Sequence, residues 1–327
     1  MKIFRFPQIL WLLAFGLVLI FASCKEKNIE YPPPNWSEYS YLGPGISLRD
    51  ISTVYYENDH SVWLGAKNKE GLLHQDGYKW NVYDKVNTGI DFDSVTSIVR
   101  DGNGKLWIGW KKGLASFDGT SWQKINEFDN RRVTAVIVEG IGNIIVGMKG
   151  ESGGTAVFQN SKWFFYSLSN SGIPSENINS LTSDHEQTLW IATADKGIIL
   201  FKNSTWENMS SEIPLLSQEF TCVTTASDGS IWAGSAAAQL IHFYNNTYTV
   251  YNTGTSKPIT SIVIADNKTV WCSTFGAGLV NFDGTNWNSF TTDNAALPSN
   301  DILCLSKGFP GNLFFSIPGG ELLLINQ

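Results

Sequence analysis

Short apolar runs alternate along the chain with turn-forming residues, and the alternation repeats. Trp63, Trp107, Trp190, Trp232 and Trp271 each sit between apolar residues and ahead of a small one, in VWLG, LWIG, LWIA, IWAG and VWCS. Ile145 in IIVG and Phe314 in LFFS fill two degenerate copies. Successive anchors lie 44, 38, 45, 42, 39 and 43 residues apart. That period is the length of one four-stranded propeller blade. Twelve residues before each anchor stand Ile51, Val95, Val133, Ile178, Phe220, Ile259 and Ile302, all apolar. Ten before it stand Thr53, Ser97, Ala135, Ser180, Cys222, Ser261 and Cys304, all small. Small side chains suit an innermost strand, where blades crowd the central channel.

Residues 94–128 show one copy in full. SVTSIVR predicts strand A, DGNG a tight turn in which glycine supplies positive φ, and KLWIGW strand B. GLASF predicts strand C, DGT a second turn, and SWQKINEF strand D. A second aromatic column marks strand D: Trp80, Trp122, Trp163, Trp206, Tyr248 and Trp287. Its seventh member is Trp36, with Trp36-Ser-Glu-Tyr39 matching Trp80-Asn-Val-Tyr83, yet no strands A to C precede it. The chain ends on ILCLS, NLFFSI and ELLLIN, which supply strands A, B and C without a D. The expectation is an all-β, seven-bladed β-propeller over 35–327, closed by the N-terminal strand completing the C-terminal blade. Such closure limits the exposed-edge hazard of open sheets.

The first residues lie outside that pattern. Lys2 and Arg5 precede the apolar run ILWLLAFGLVLIF, and Ala22-Ser23-Cys24 follows. These are signal-peptide features, and the run is short for a spanning helix. Phe21-Ala22-Ser23-Cys24 resembles a bacterial lipobox, in which Leu more often stands at the position of Phe21. The resemblance implies a signal peptide over 1–23, cleavage before Cys24 and lipidation of its thiol. Residues 24–34 then form a lipidated, proline-rich tether (KEKNIEYPPP after Cys24) to the membrane. Lys25 follows the cysteine where the enterobacterial sorting rule associates Asp with inner-membrane retention, which leans the expected location to the outer membrane.

The repeat itself resembles the two-component-regulator propeller repeat. Asp101-Gly-Asn-Gly-Lys-Leu-Trp-Ile-Gly109 and Asp228-Gly-Ser-Ile-Trp-Ala-Gly234 are its best copies. In that family, paired seven-bladed propellers form the periplasmic sensor of hybrid histidine kinases. This chain has one propeller and neither a kinase core nor a response-regulator domain, so signalling output of its own is not expected.

Composition narrows the function further. Of 327 residues 16% are charged, and the net charge is −7. An acidic protein of this kind gives no support for nucleic-acid binding. Against that background, cations gather in one sector. Lys67, Lys111 and Lys149 stand four residues after the anchor in three consecutive blades, where the others have Ala194, Ala236, Phe275 and Pro318. Lys112 follows Lys111, and Arg131 and Arg132 enter blade 3. Eleven of the 13 tryptophans fall in the two repeat columns and read as blade-packing residues, Trp11 lies in the signal peptide, and Trp110 is off-pattern at the start of a B–C loop. The expectation is an anion site on the face of the B–C and D–A loops, with Trp110 as a stacking surface.

Histidines do not converge: His60 and His185 fall in A–B turns, and His74 and His242 share one strand-C position. A metal centre, a cofactor or a His-based triad is therefore not expected. Glu70, Glu151 and Asp195 lie in B–C loops, where an acid pair would be needed for glycan cleavage. Cys222, Cys272 and Cys304 read as buried thiols. The functional expectation is an envelope lipoprotein that binds a glycan or a protein partner. A scaffold subunit of an outer-membrane complex and a polysaccharide lyase or hydrolase are the alternatives.

Overall fold

The computed structural model describes residues 35–39, 50–58, 60–67, 71–140, 142–320 and 322–326. The expected signal peptide, the expected lipidation site Cys24, the expected tether and Glu70 lie outside these residues.

Seven four-stranded antiparallel sheets follow one another along the chain. Six are built from consecutive strands, over 51–83, 95–124, 132–166, 178–208, 220–252 and 259–290. Blade 7 takes Cys304–Lys307, Asn312–Ser316 and Leu322–Asn326 from the C-terminus and Asn35–Glu38 as its outer strand. Asn35 pairs with Asn326 and Glu38 with Leu323, so the N-terminal strand closes the ring as its aromatic column predicts. Tyr39 extends the closure, its hydroxyl donating to Gln75 of blade 1. The strands A of neighbouring blades pack side by side, and that of blade 7 returns against that of blade 1.

Blade 2 shows how the repeat builds a blade. Strands A to C run over Val95–Arg100, Leu106–Trp110 and Gly113–Phe117. Strand D is shorter than the pattern predicts, Trp122–Lys124, because the chain turns into a 3-10 segment at Asn126–Phe128 that buries Phe128. The Trp107 indole N–H donates to Asp101 Oδ2 over 2.9 Å. Asp101 Oδ1 accepts the Asn103 and Lys105 amides at 2.9 and 3.0 Å. One carboxylate thus shapes the A–B turn and fixes the anchor six residues later; Asp184 does the same for Trp190.

The small residue after the anchor has an equally local cause. A Cβ at Gly109 would stand 2.5 Å from Val133 Cγ1 in blade 3, and one at Gly65 would stand 2.5 Å from Val95 Cγ1. Neighbouring blades meet at these glycines, which leaves no room for a side chain. Each seam between blades holds its own apolar cluster; that of blades 1 and 2 contains Trp63, Phe92, Val95 and Ile108. Cys222, Cys272 and Cys304 are free and buried. Burial pushes the Cys222 thiol up to about 12 and the Cys304 thiol to about 11, which leaves them unreactive packing groups.

Candidate functional site

The site is built by an irregularity repeated in six blades. In strand A the pairing with strand B skips one residue: Ser52, Thr96, Thr134, Asn179, Thr221 and Thr260. A bulged residue leaves the ladder and its side chain is re-aimed. Here all six are short and polar, and all six line the central cavity. They also join the blades. Thr96 Oγ1 lies 3.0 Å from Gly109 O in its own blade and 3.0 Å from Val133 O in the next. Thr134 Oγ1 stands likewise 3.1 Å from Gly147 O and 2.8 Å from Ile178 O. In blade 4, Asn179 Nδ2 donates to Phe220 O over 2.7 Å. This column stands eleven residues before each anchor, between the two columns that the sequence pattern displays.

Above this ring the cavity opens, with a volume of about 560 Å³, on the face of the B–C and D–A loops. Its wall contains Lys67, Lys111, Lys149 and Arg132, with Glu219 across from them on blade 5. The backbone sets the three lysines. Each follows the last residues of strand B, and the chain there bonds to the incoming D–A segment: Lys67 N to Asp50 O at 2.9 Å, Lys111 N to Ser94 O at 3.2 Å, and Lys149 opposite Arg132 in the ladder. Lys149 Nζ donates to Asn179 Oδ1 over 2.9 Å, which draws it toward the polar ring. Among the described residues, none of the four cations is ion-paired with a carboxylate. The cavity therefore carries an excess of three positive charges inside an acidic protein. Such a recess focuses its field and attracts anions.

Three other candidates fall elsewhere. Lys112 is exposed and faces Asp93 at 3.9 Å. Arg131 is committed to the chain around it: Nε donates to Glu127 O, Nη1 to Ser152 O, and its guanidinium covers Phe165 at 4.7 Å. Trp110 corrects the sequence expectation of a stacking surface. It is 2% exposed, packs edge-on against Phe92 with centroids 5.4 Å apart, and covers Gly113. The same register holds Ala66, Met148, Thr193, Ser235, Thr274 and Ile317, all buried, so this position belongs to the core in every blade.

The remaining polar groups also serve the scaffold. His74 stacks on Trp63 and His242 on Trp232, with centroids 3.8 and 3.9 Å apart. Burial lowers the pKa of both imidazoles. Asp195 accepts Ser175 Oγ, and neither it nor Glu151 lines the cavity. Among the described residues no group of three or more His, Cys, Asp or Glu side chains could hold a metal ion.

Residues 89–109, which contain the Asp101 turn and the Trp107 anchor, match the two-component regulator propeller family. The fold is a seven-bladed β-propeller, and this stretch matches the two-component-regulator repeat. Solved structures of similar fold include the extracellular domain of a putative hybrid two-component system from B. thetaiotaomicron, 20% identical with a TM-score of 0.74 over 90% of this chain and 41% of that one. PorZ, an essential surface component of the type-IX secretion system of Porphyromonas gingivalis, is 18% identical with a TM-score of 0.69 over 87% of this chain and 47% of that one. A catalytically inactive virginiamycin B lyase from Staphylococcus aureus, solved with Quinupristin, is 12% identical with a TM-score of 0.72 over 90% of this chain and 99% of that one. The chain spans less than half the length of the first two. No curated protein matches it in sequence.

Proposed function

We propose that this protein is an exported, lipid-anchored binding protein of the bacterial cell envelope, whose central cavity holds an anionic ligand, with an acidic glycan as the best fit. It has no catalysis or signalling output of its own. The observation that carries this reading is the convergence of Lys67, Lys111, Arg132 and Lys149 on one recess above a ring of polar side chains. Uronate carboxylates match the cations, and sugar hydroxyls match the ring. The extracellular domain and the surface component among the similar folds are in keeping with an exported binding role.

Strand D of blade 7 begins at Asn35, beside Asn326 and Asn312, on the face of the A–B turns. The cavity opens on the opposite face.

A second reading, docking of an envelope protein, is favoured by Leu168, Leu216 and Phe275. They are 57, 74 and 51% exposed and all lie in loops of the cavity's face.

A co-crystal with trigalacturonate tests the first reading. Sugar density with its carboxylates against the four cations is the expected result. Density only on the outer rim, or none at saturating ligand, would refute it.

A further inference from the structure

The seams between blades are closed at their outer edge by the strand-D tryptophans. Trp122 packs on Tyr83 across the first seam, Trp206 on Tyr166 across the third, Trp287 on Tyr251 across the fifth and Trp36 on Phe290 across the sixth. Between blades 4 and 5 no tryptophan stands in this column. The column there holds Tyr248, 41% exposed, and the residue facing it from blade 4 is Met209 in place of an aromatic ring. The seam gapes into a cleft of about 880 Å³.

The cleft has a definite chemistry. Its floor is apolar, with Trp190, Leu200 and Phe243. Tyr244 and Tyr248 stand at its mouth, both more than 40% exposed. Glu186 is neutralised by Lys202 at 2.6 Å and Asp184 is committed to its own turn and to Trp190, which leaves Asp228 and Glu207 as two carboxylates without a matching cation in the lining. Hydrogen bonds from Ser230 hold Asp228 below the usual carboxylate range, so it is charged at neutral pH. One further group points to a ligand. Thr188 lines the cleft, is 2% exposed, and its Oγ1 has no hydrogen-bond partner. Leaving such a group unpaired is costly, and a bound donor relieves it.

We infer that the blade 4–5 cleft is a second binding site, for a peptide segment of a partner protein bearing Lys or Arg side chains between apolar residues. The apolar floor takes the alkyl stem and the neighbouring apolar side chain. The tyrosine rings, Asp228 and Glu207 hold the cationic head, and the Thr188 hydroxyl accepts one of its N–H groups. A neutral glycan would use the rings and leave the carboxylates without a counter-charge. The site is independent of the cation-lined cavity, which opens on the other face.

The test uses the folded chain without its signal peptide and the N-acetylated, amidated tetrapeptide Leu-Arg-Leu-Arg as probe. Leu-Glu-Leu-Glu and cellohexaose are the comparison ligands, and binding is read by calorimetry. The expected result is saturable binding of the arginine peptide alone, weakened about tenfold or more by added salt. Tyr248→Trp puts the tryptophan of the other seams in this column; it should abolish binding and raise Tm. Asp228→Asn/Glu207→Gln should weaken binding at least about tenfold with the fold intact. Lys111→Glu/Lys149→Glu should leave it unchanged. No saturable binding, equal binding by Tyr248→Trp and by Asp228→Asn/Glu207→Gln, or a preference for cellohexaose would overturn the proposal.

Discussion

His74 lies flat on Trp63, ring centroids 3.8 Å apart and planes within 8° of parallel. The two face each other across the B–C ladder of blade 1, and His242 repeats the arrangement on Trp232 in blade 5. Burial is the largest cause that lowers each imidazole from its ordinary value of 6.5, partly opposed by Asp76 and Glu57 near His74 and by Asp228 near His242. A base with a depressed folded pKa binds fewer protons folded than unfolded. Stability is therefore complete above about pH 6.5 and is lost as pH falls below it, toward the folded pKa values. Tm should drop between about pH 7.5 and about pH 5.5, and the drop should shrink in His74→Phe/His242→Phe, which keeps the stacks. An equal drop in both proteins would put the pH dependence elsewhere.

Blade contact at glycine gives a second prediction. With Val133 Cγ1 only 2.5 Å from the place a Cβ would take, Gly109→Val must push blades 2 and 3 apart. Overpacking of this kind costs about 1–3 kcal/mol. Urea unfolding measures it. A substitution without cost would mean that the seam is looser than these distances indicate.

The N-terminal strand should be required for the ring. Trp36 packs edge-on against Phe290 and Phe315, and its indole N–H donates to Ala295 O over 2.8 Å. Trp36→Ala should cost about 3 kcal/mol, the low end for a tryptophan because it is only half-buried. Deleting residues through Tyr39 also bares the edge of Leu322–Asn326, and an open apolar edge recruits other chains. Size-exclusion chromatography and thermal melting should show association and a lowered Tm. A monomer with unchanged Tm would contradict closure by this strand.

The ring and its closure were legible in the sequence because they rest on residues at fixed offsets, such as Trp107 and Gly109 with Val133. The lysine sector was legible for the same reason, since Lys67, Lys111 and Lys149 share one register. Trp110 misled because strand B is buried on both faces: all five residues of Leu106–Trp110 are buried. Alternation along such a strand carries no information on which way a side chain faces. The polar ring was missed for a different reason. Thr96 and its equivalents reach the cavity through a bulge, and a bulge reverses the direction that simple alternation assigns. The cleft at Tyr248 was hidden in a conservative-looking exchange, one aromatic residue for another in a column of tryptophans.

Four cations converge on the cavity. Calorimetric titration of trigalacturonate into the wild type and into Lys111→Glu/Lys149→Glu, each at low and raised salt, should show wild-type binding that weakens with salt and is abolished by the double charge reversal. Equal affinity in the two proteins, or no binding to the wild type, would mean that the cavity is not an anion site.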